Sequence, residues 1–379
     1  MRSVSDERLG KILIAAGGTG GHVFPAQALA HYLYKLGFQP TLVTDRRGME
    51  FGCDQVGIPC HLVYASPFSR RNWFGILLAA IKSGVGMIQA RFLIRQLGPV
   101  AAVGFGGYAS LPTMLIASHM KLPTVIHESN AVLGRANRLL ASRVSVIATA
   151  FQNTAGLTER HKVKVVQTGT PVRASIVAAR KTEAEVQNTS SKIRLLVIGG
   201  SQGSRIMSEV VPAALGRLPQ SLKNRLVVVH QCRLSDRSRV KASFAMAGVN
   251  ASVISFIDDM GAALECTNLV ISRAGASTVA ELAVAGRAAL LVPFPHAVDD
   301  HQAVNARELG DVGGAWIIDE KEFNAEKLGN WLVEMLKDPS ILLTAGRKAG
   351  GVGRPDAAHH LAEIVGQLIS ESAGKCDSR

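Results

Sequence analysis

The sequence predicts an α/β fold: two Rossmann-like domains, each on a parallel sheet, facing one another across a cleft. Three observations predict it. A strand, a glycine turn and a helix follow one another from Lys11, and the same succession recurs from Ile193, about half the chain later. The 379 residues exceed one ordinary domain. Thirty-seven glycines with only 5% aromatic residues suit many tight strand-to-helix turns.

Taken in order, Lys11–Ala16 (KILIAA) is a short buried strand stopped by glycine. Gly17–Gly21 forms the turn, and from His22 the apolar spacing Phe24, Ala28, Tyr32 and Leu36 is helical. Gly37 ends that helix and Thr41–Thr44 starts the next strand. A third turn stands at Gly104–Gly107. Lys181–Lys192 is polar and without period, as an approach to a second domain would be. Ile193–Ile198 repeats the strand, Gly199–Gly203 the turn, and a helix follows from about Ser204. Gly275–Thr278 is a further turn at a helix start, and Ala289–Val292 a buried strand. After a Gly/Pro break at Gly350–Pro355, helical periodicity over Pro355–Ile369 crosses back, and Ala373–Arg379 is expected to be disordered. The expected division is 1–172, joined by the helix 355–372, and 173–354.

Forty-two basic against 29 acidic residues give a charge of +13, which calls for an anionic partner. No nucleic-acid motif and no interleaving of aromatics with the basic residues is found, which argues against nucleic acid. Five scattered cysteines without metal-ligand spacing suggest free thiols in a reducing compartment. Neither a secretory signal nor a span of about 18 apolar residues is legible. Between Asp54 and Glu128 no acidic residue occurs. Within that stretch, Phe68–Arg95 sets Trp73, Phe74 and Leu77 among Arg70, Arg71 and Lys82. It reads either as an interfacial segment on an anionic membrane or as a buried helix with basic ends.

Neither main glycine turn is a dinucleotide fingerprint, since Val23 takes the third glycine position of the first, and no phosphate-loop GxxxxGK[ST] occurs. Several such turns still suit phosphate, because missing Cβ atoms let backbone N–H groups approach an anion. His22 stands at the start of the first helix, where the dipole disfavours the imidazolium. It either caps and packs or accepts a proton. Glu281, early in its helix, is either a surface carboxylate or the acceptor of two hydrogen bonds from a ribose diol. His296, Asp299, Asp300 and His301 lack regular ligand spacing, so no metal site is expected. No Asp-x-Asp occurs, so the charge of a departing diphosphate would fall to backbone amides and a cation such as Arg173.

Eight motifs in succession resemble the bacterial undecaprenyldiphospho-muramoylpentapeptide β-N-acetylglucosaminyltransferases, the MurG family of glycosyltransferase family 28. They are GGTGGHVFPA (Gly17–Ala26), GFGGYAS (Gly104–Ser110), HESNAVLGRANRLLA (His127–Ala141) and GTPVR (Gly169–Arg173), then GGSQGS (Gly199–Ser204), FIDDM (Phe256–Met260), RAGASTVAEL (Arg273–Leu282) and PFPHAVDDHQAVNA (Pro293–Ala306). The resemblance covers nearly the whole chain. It implies a GT-B fold, with an acceptor and membrane domain first and a UDP-sugar domain second. It also implies an inverting, metal-independent and cofactor-free transfer of N-acetylglucosamine from UDP-N-acetylglucosamine to the C4 hydroxyl of lipid I, forming lipid II for peptidoglycan. The place of work would be the cytoplasmic face of the cell inner membrane, held peripherally.

Carried over by position, Thr19, Gly20 and Gly21 would line the donor and diphosphate site, and Asn130 would contact the sugar. Arg173 and Ser201 would meet phosphates, and Ile257 would hold uracil through its backbone. Ala276, Ser277, Thr278, Val279, Ala280 and Glu281 would hold phosphate and ribose, and Gln302 would reach sugar hydroxyls. Gly18, Gly106, Gly107, Tyr108, His127, Glu128 and Asn137 are candidates for the acceptor and its diphosphate, and His22 for the base. The sequence departs from the family pattern at Ser129, Thr170, Leu111 and Cys232–Arg233, beside these positions. Rival readings are another lipid glycosyltransferase of this fold, a UDP-N-acetylglucosamine 2-epimerase, and a non-enzymatic basic binding module.

Overall fold

In the computed structural model, residues 9–51, 57–65, 73–180, 192–200 and 203–377 are described. The chain forms two compact units, Met1–Pro171 with Asp356–Arg379, and Val172–Pro355.

Among the described residues the first unit holds a parallel sheet of seven strands: β1 (Lys11–Ala15), β2 (Gln39–Thr44), β3 (Cys60–Leu62), β4 (Ala101–Gly104), β5 (Thr124–Glu128), β6 (Val146–Thr149) and β7 (Val165–Gln167). Their order is β3-β2-β1-β4-β5-β6-β7. Strand β1 shows why these runs are apolar throughout. Ile12 and Ile14 enter the core under the helices Gly20–Lys35 and Ala357–Asp377, while Leu13 and Ala15 enter the one under Trp73–Leu97 and Ser110–His119. Successive side chains point to opposite faces and both faces are covered.

The second unit repeats the scheme with β8 (Ile193–Ile198), β9 (Leu226–Gln231), β10 (Ala251–Ile254), β11 (Leu269–Ser272), β12 (Ala288–Leu291) and β13 (Ala315–Ile317), in the order β10-β9-β8-β11-β12-β13. Leu195 and Val197 face one core, Leu196 and Ile198 the other. In each sheet the winding reverses at one place, between β1 and β4 and between β8 and β11. A doubly wound sheet opens a crevice for a ligand at the carboxyl ends of the strands flanking that reversal.

Two expectations are corrected at the carboxyl end. The helix Pro339–Val352 runs through Gly350 and Gly351, so the break expected over Gly350–Pro355 begins only at Gly353 and ends before the helix from Ala357. Gly346 is glycine for packing, since a Cβ there would stand 2.7 Å from the Gly286 carbonyl oxygen. The segment from Ala373 is helical as far as Asp377, because Ala357–Asp377 is one continuous helix whose Leu361, Ala362 and Val365 enter the first unit's core.

Candidate active site

The first unit's candidates gather at the carboxyl ends of β1, β4 and β5. Thr19 is the N-cap of Gly20–Lys35, so Gly20, Gly21 and the half-buried His22 form that helix's first turn. The glycine turns after β1 and β4 lie against each other. A Cβ on Gly17 would stand 2.2 Å from the Ala109 Cβ, and one on Gly107 2.5 Å from the Gly17 carbonyl oxygen. Gly106 and Gly107 have φ of +81° and +75°, backbone that favours glycine. The imidazole of His22 covers both, since Cβ atoms there would lie 3.4 and 3.3 Å from its ring carbons. Tyr108 is half-buried beside them.

His127 and Glu128, at the end of β5, turn out to be fastenings. His127 is fully buried, and its Nε2 donates to the Gly169 carbonyl at 2.8 Å. That carbonyl fixes the tautomer, so Nδ1 accepts from the Ser129 hydroxyl at 3.2 Å. The departure at Ser129 thus completes the histidine's hydrogen bonding. Burial, offsetting the bond to Gly169 and the charge of Glu128, lowers the His127 pKa to about 4. The buried Glu128 carboxylate accepts four N–H groups: Asn130 N and Nδ2 at 3.0 Å, Gly134 N at 2.8 Å and Asn137 Nδ2 at 2.9 Å. A carboxylate so occupied is a loop clamp rather than a proton acceptor, and through it Asn130 and Asn137 are held in place.

One organising residue was not anticipated. Asp45, just after β2, accepts from Gly48 N at 2.9 Å and from Gly18 N at 3.0 Å. It caps the short helix Arg46–Met49 and holds the first glycine turn from beneath. The Gly18 amide is therefore directed at Asp45. The second unit uses the same place in the winding. Gln231, the last residue of β9, accepts from Gly199 N at 3.0 Å and donates to the Ser255 carbonyl at 3.2 Å. It thereby links the second glycine turn to the segment entering Phe256 and Ile257. Replacing Asp45 by alanine removes a cap and a turn anchor together and is expected to destabilise the fold by about 1–3 kcal/mol. Thermal unfolding checks this, at about 2–4 °C per kcal/mol for a unit of this size.

In the second unit, Gly275 is the N-cap of Ala276–Ala285, placing Ala276, Ser277, Thr278, Val279 and Ala280 in the turns after β11. Glu281 follows, 8% exposed, and accepts from Arg173 Nη2 at 3.1 Å. Arg173, expected at phosphate, is thus brought onto the carboxylate expected at ribose. Burial raises the Glu281 pKa, and the charge and hydrogen bond of Arg173 pull against that rise. Ile257 is buried beside an exposed Phe256. Gln302, in the first turn of His301–Gly310, accepts at Oε1 from Phe294 N at 3.0 Å. An amide whose oxygen is so held is fixed in orientation, with its N–H groups left to donate to a sugar hydroxyl. Arg233 lies along the second glycine turn, its Cγ 2.6 Å from where a Cβ on Gly203 would be. Ser201, Arg70 and Arg71 lie outside the described residues.

Each sheet thus carries glycine turns and polar motifs at its reversal. Residues 12–149 match the glycosyltransferase family 28 N-terminal domain, and residues 194–361 match its C-terminal domain. A UDP-N-acetylglucosamine--N-acetylmuramyl-(pentapeptide) pyrophosphoryl-undecaprenol N-acetylglucosamine transferase of Paramagnetospirillum magneticum is 46% identical over 96% of this chain and 98% of its own. The chain belongs to glycosyltransferase family 28. The like-named Rhodospirillum rubrum protein is 46% identical over 93% of this chain and 91% of its own. Among solved structures, the family 28 chain resembles Acinetobacter baumannii MurG, with a TM-score of 0.75, 33% identity, and coverage of 94% of this chain and 99% of that one. The likeness to the Neisseria meningitidis UDP-GlcNAc 2-epimerase, at 11% identity and a TM-score of 0.64 over 94% of this chain and 100% of that one, is one of fold alone.

Proposed function

We propose that this family 28 enzyme transfers N-acetylglucosamine from UDP-N-acetylglucosamine to the C4 hydroxyl of lipid I, with inversion, yielding lipid II and UDP. The observation that carries this reading is the 46% identity, over 96% of the chain, to a transferase named for that reaction. The geometry supports it. Glu281 is a buried carboxylate aligned by Arg173 at the second reversal, suited to a ribose diol. Gln302, its oxygen held by the Phe294 N–H, has N–H groups suited to donate to a sugar hydroxyl. On the first unit His22 lies over Gly106 and Gly107, while His127 and Glu128 are fully occupied.

In the step proposed, the acceptor C4 oxygen attacks the anomeric carbon and its proton passes to His22. The bond from that carbon to the diphosphate oxygen breaks, and UDP leaves with the electron pair. Backbone amides at the helix starts stabilise the departing charge. The test is radiolabelled UDP-N-acetylglucosamine with lipid I and EDTA present. Labelled lipid II is expected; label appearing only in an epimerised donor, formed without lipid, would sink the reading.

The acceptor's undecaprenyl chain implies work at a membrane. No helix among the described residues is long and apolar enough to cross one. The helix Trp73–Leu97, which carries Trp73, Phe74, Leu77 and Lys82, is apolar on two faces. One packs inward through Ala90 and Ile94. The other leaves Ile81, Val85, Ile88 and Phe92 at 55%, 42%, 59% and 69% exposure, spaced as a single helical stripe with Lys82 and Arg95 exposed nearby. This stripe is read as the surface for an anionic bilayer. Ile88→Ser with Phe92→Ser removes about 3–6 kcal/mol of apolar burial. Sedimentation with anionic vesicles is expected to fail while donor KM holds; undiminished sedimentation would move the membrane face elsewhere.

A further inference from the structure

The loop from β12 to the helix His301–Gly310 is built from exposed residues in an awkward backbone. Phe294, Pro295, His296, Asp299 and Asp300 are all exposed. Asp299 and Asp300 adopt φ of +54° and +50°, the left-handed region, one after the other. Left-handed backbone at a residue other than glycine is strained, so neighbouring contacts must hold the loop.

Arg273, one residue past β11, does so. Its Nη1 donates to the Val292 carbonyl at 3.1 Å and the Pro293 carbonyl at 3.3 Å, and its guanidinium carbon lies 5.3 Å from the centre of the Phe294 ring. Its Nη2 pairs with Glu320, which lies in the turn after β13 and belongs to none of the motifs. The arginine side chain is only 13% exposed, and a guanidinium that buried needs a counter-charge. The planar fork lets one nitrogen meet the carboxylate while the other holds the carbonyls. The Phe294 N–H in turn donates to Gln302 Oε1. A continuous set of contacts therefore runs from Glu320 through Arg273 and Phe294 to Gln302.

We propose that Glu320 is a positioning residue for recognition of the donor's sugar, acting through Arg273 and Phe294 to aim the Gln302 amide. The inference rests on the reading of Gln302 as a sugar contact. Without Glu320 the guanidinium loses its counter-charge and turns toward solvent. The carbonyls and the ring are released, and Gln302 loses the N–H that orients its oxygen.

The test compares UDP-N-acetylglucosamine with UDP, which lacks the sugar. Glu320→Ala is expected to raise KM for UDP-N-acetylglucosamine about tenfold, the loss of roughly 1.4 kcal/mol. The inhibition constant of UDP should stay within about twofold, and Glu320→Gln should fall between. Gln302→Ala should raise KM similarly, and adding Glu320→Ala to it should do little more, since both changes remove one interaction. An unchanged KM in Glu320→Ala overturns the proposal. So does equal weakening of UDP and UDP-sugar, which marks a general structural defect, and so does an additive double variant. If Gln302→Ala itself leaves KM unchanged, the sugar-contact reading falls, and the positioning role with it.

Discussion

Replacing His22 by alanine is expected to lower kcat with lipid I by about 10²–10⁴-fold, the usual cost of removing a general base, while donor KM changes little. The reason lies in how the polar groups at the first reversal are held. His127 is buried, with Nε2 on the Gly169 carbonyl and Nδ1 receiving the Ser129 hydroxyl. Its pKa of about 4 keeps it neutral near pH 7, and both nitrogens are committed to partners within the fold. Glu128 has four N–H groups on its carboxylate. His22 is half-buried over two glycines whose missing side chains leave it room. The alanine variant should recover part of its rate with added imidazole, a rescue that a merely structural histidine would not show. Near-normal turnover without imidazole would remove His22 from the chemistry.

Features set by local rules were legible in the sequence. Glycine turns after β1, β4 and β8 were visible because a backbone at positive φ, or pressed against another turn, accepts glycine best. Buried strands showed as unbroken apolar runs because both faces of each sheet are covered. Features set by distant partners were not legible. Asp45 meets Gly18 across 27 positions and Gln231 meets Gly199 across 32, and neither carries a periodic signal. Glu128, placed among the acceptor candidates by resemblance, is held by amides of Asn130, Gly134 and Asn137 that carry no periodic signal. Gly350 and Gly351 looked like the start of a break, yet the helix carries them to Val352 because glycine inside a helix is tolerated at a cost of about 1 kcal/mol each. The helix Trp73–Leu97 was ambiguous for a simpler reason: apolar residues on both sides leave no contrast to show which side meets the core.

Arg173→Met should weaken donor and UDP together, and more severely as pH falls. Glu281 can receive two ribose hydroxyls only as a carboxylate. Burial holds its pKa above the ordinary value of 4.5, and Arg173, through charge and hydrogen bond, limits that rise. Methionine keeps most of the side-chain volume but removes both restraints, so the pKa climbs further. Losing a hydrogen bond to a charged group costs about 1.5–3 kcal/mol, roughly 10–150-fold in affinity. UDP carries the ribose, so its inhibition constant should rise with KM, unlike the Glu320 variants. Stability should respond to pH in the opposite sense. A carboxyl with a raised folded pKa contributes stability that is fully present below its unfolded value and lost as pH rises through the folded one. Over the window from about 4.5 up to the raised value, acidification should therefore firm the fold while it weakens donor binding. In Arg173→Met that window should extend to higher pH. Isothermal titration with UDP and thermal unfolding over the same pH series check both halves. A pH-independent loss of UDP affinity would mean that Arg173 meets the donor directly rather than by keeping Glu281 ionised.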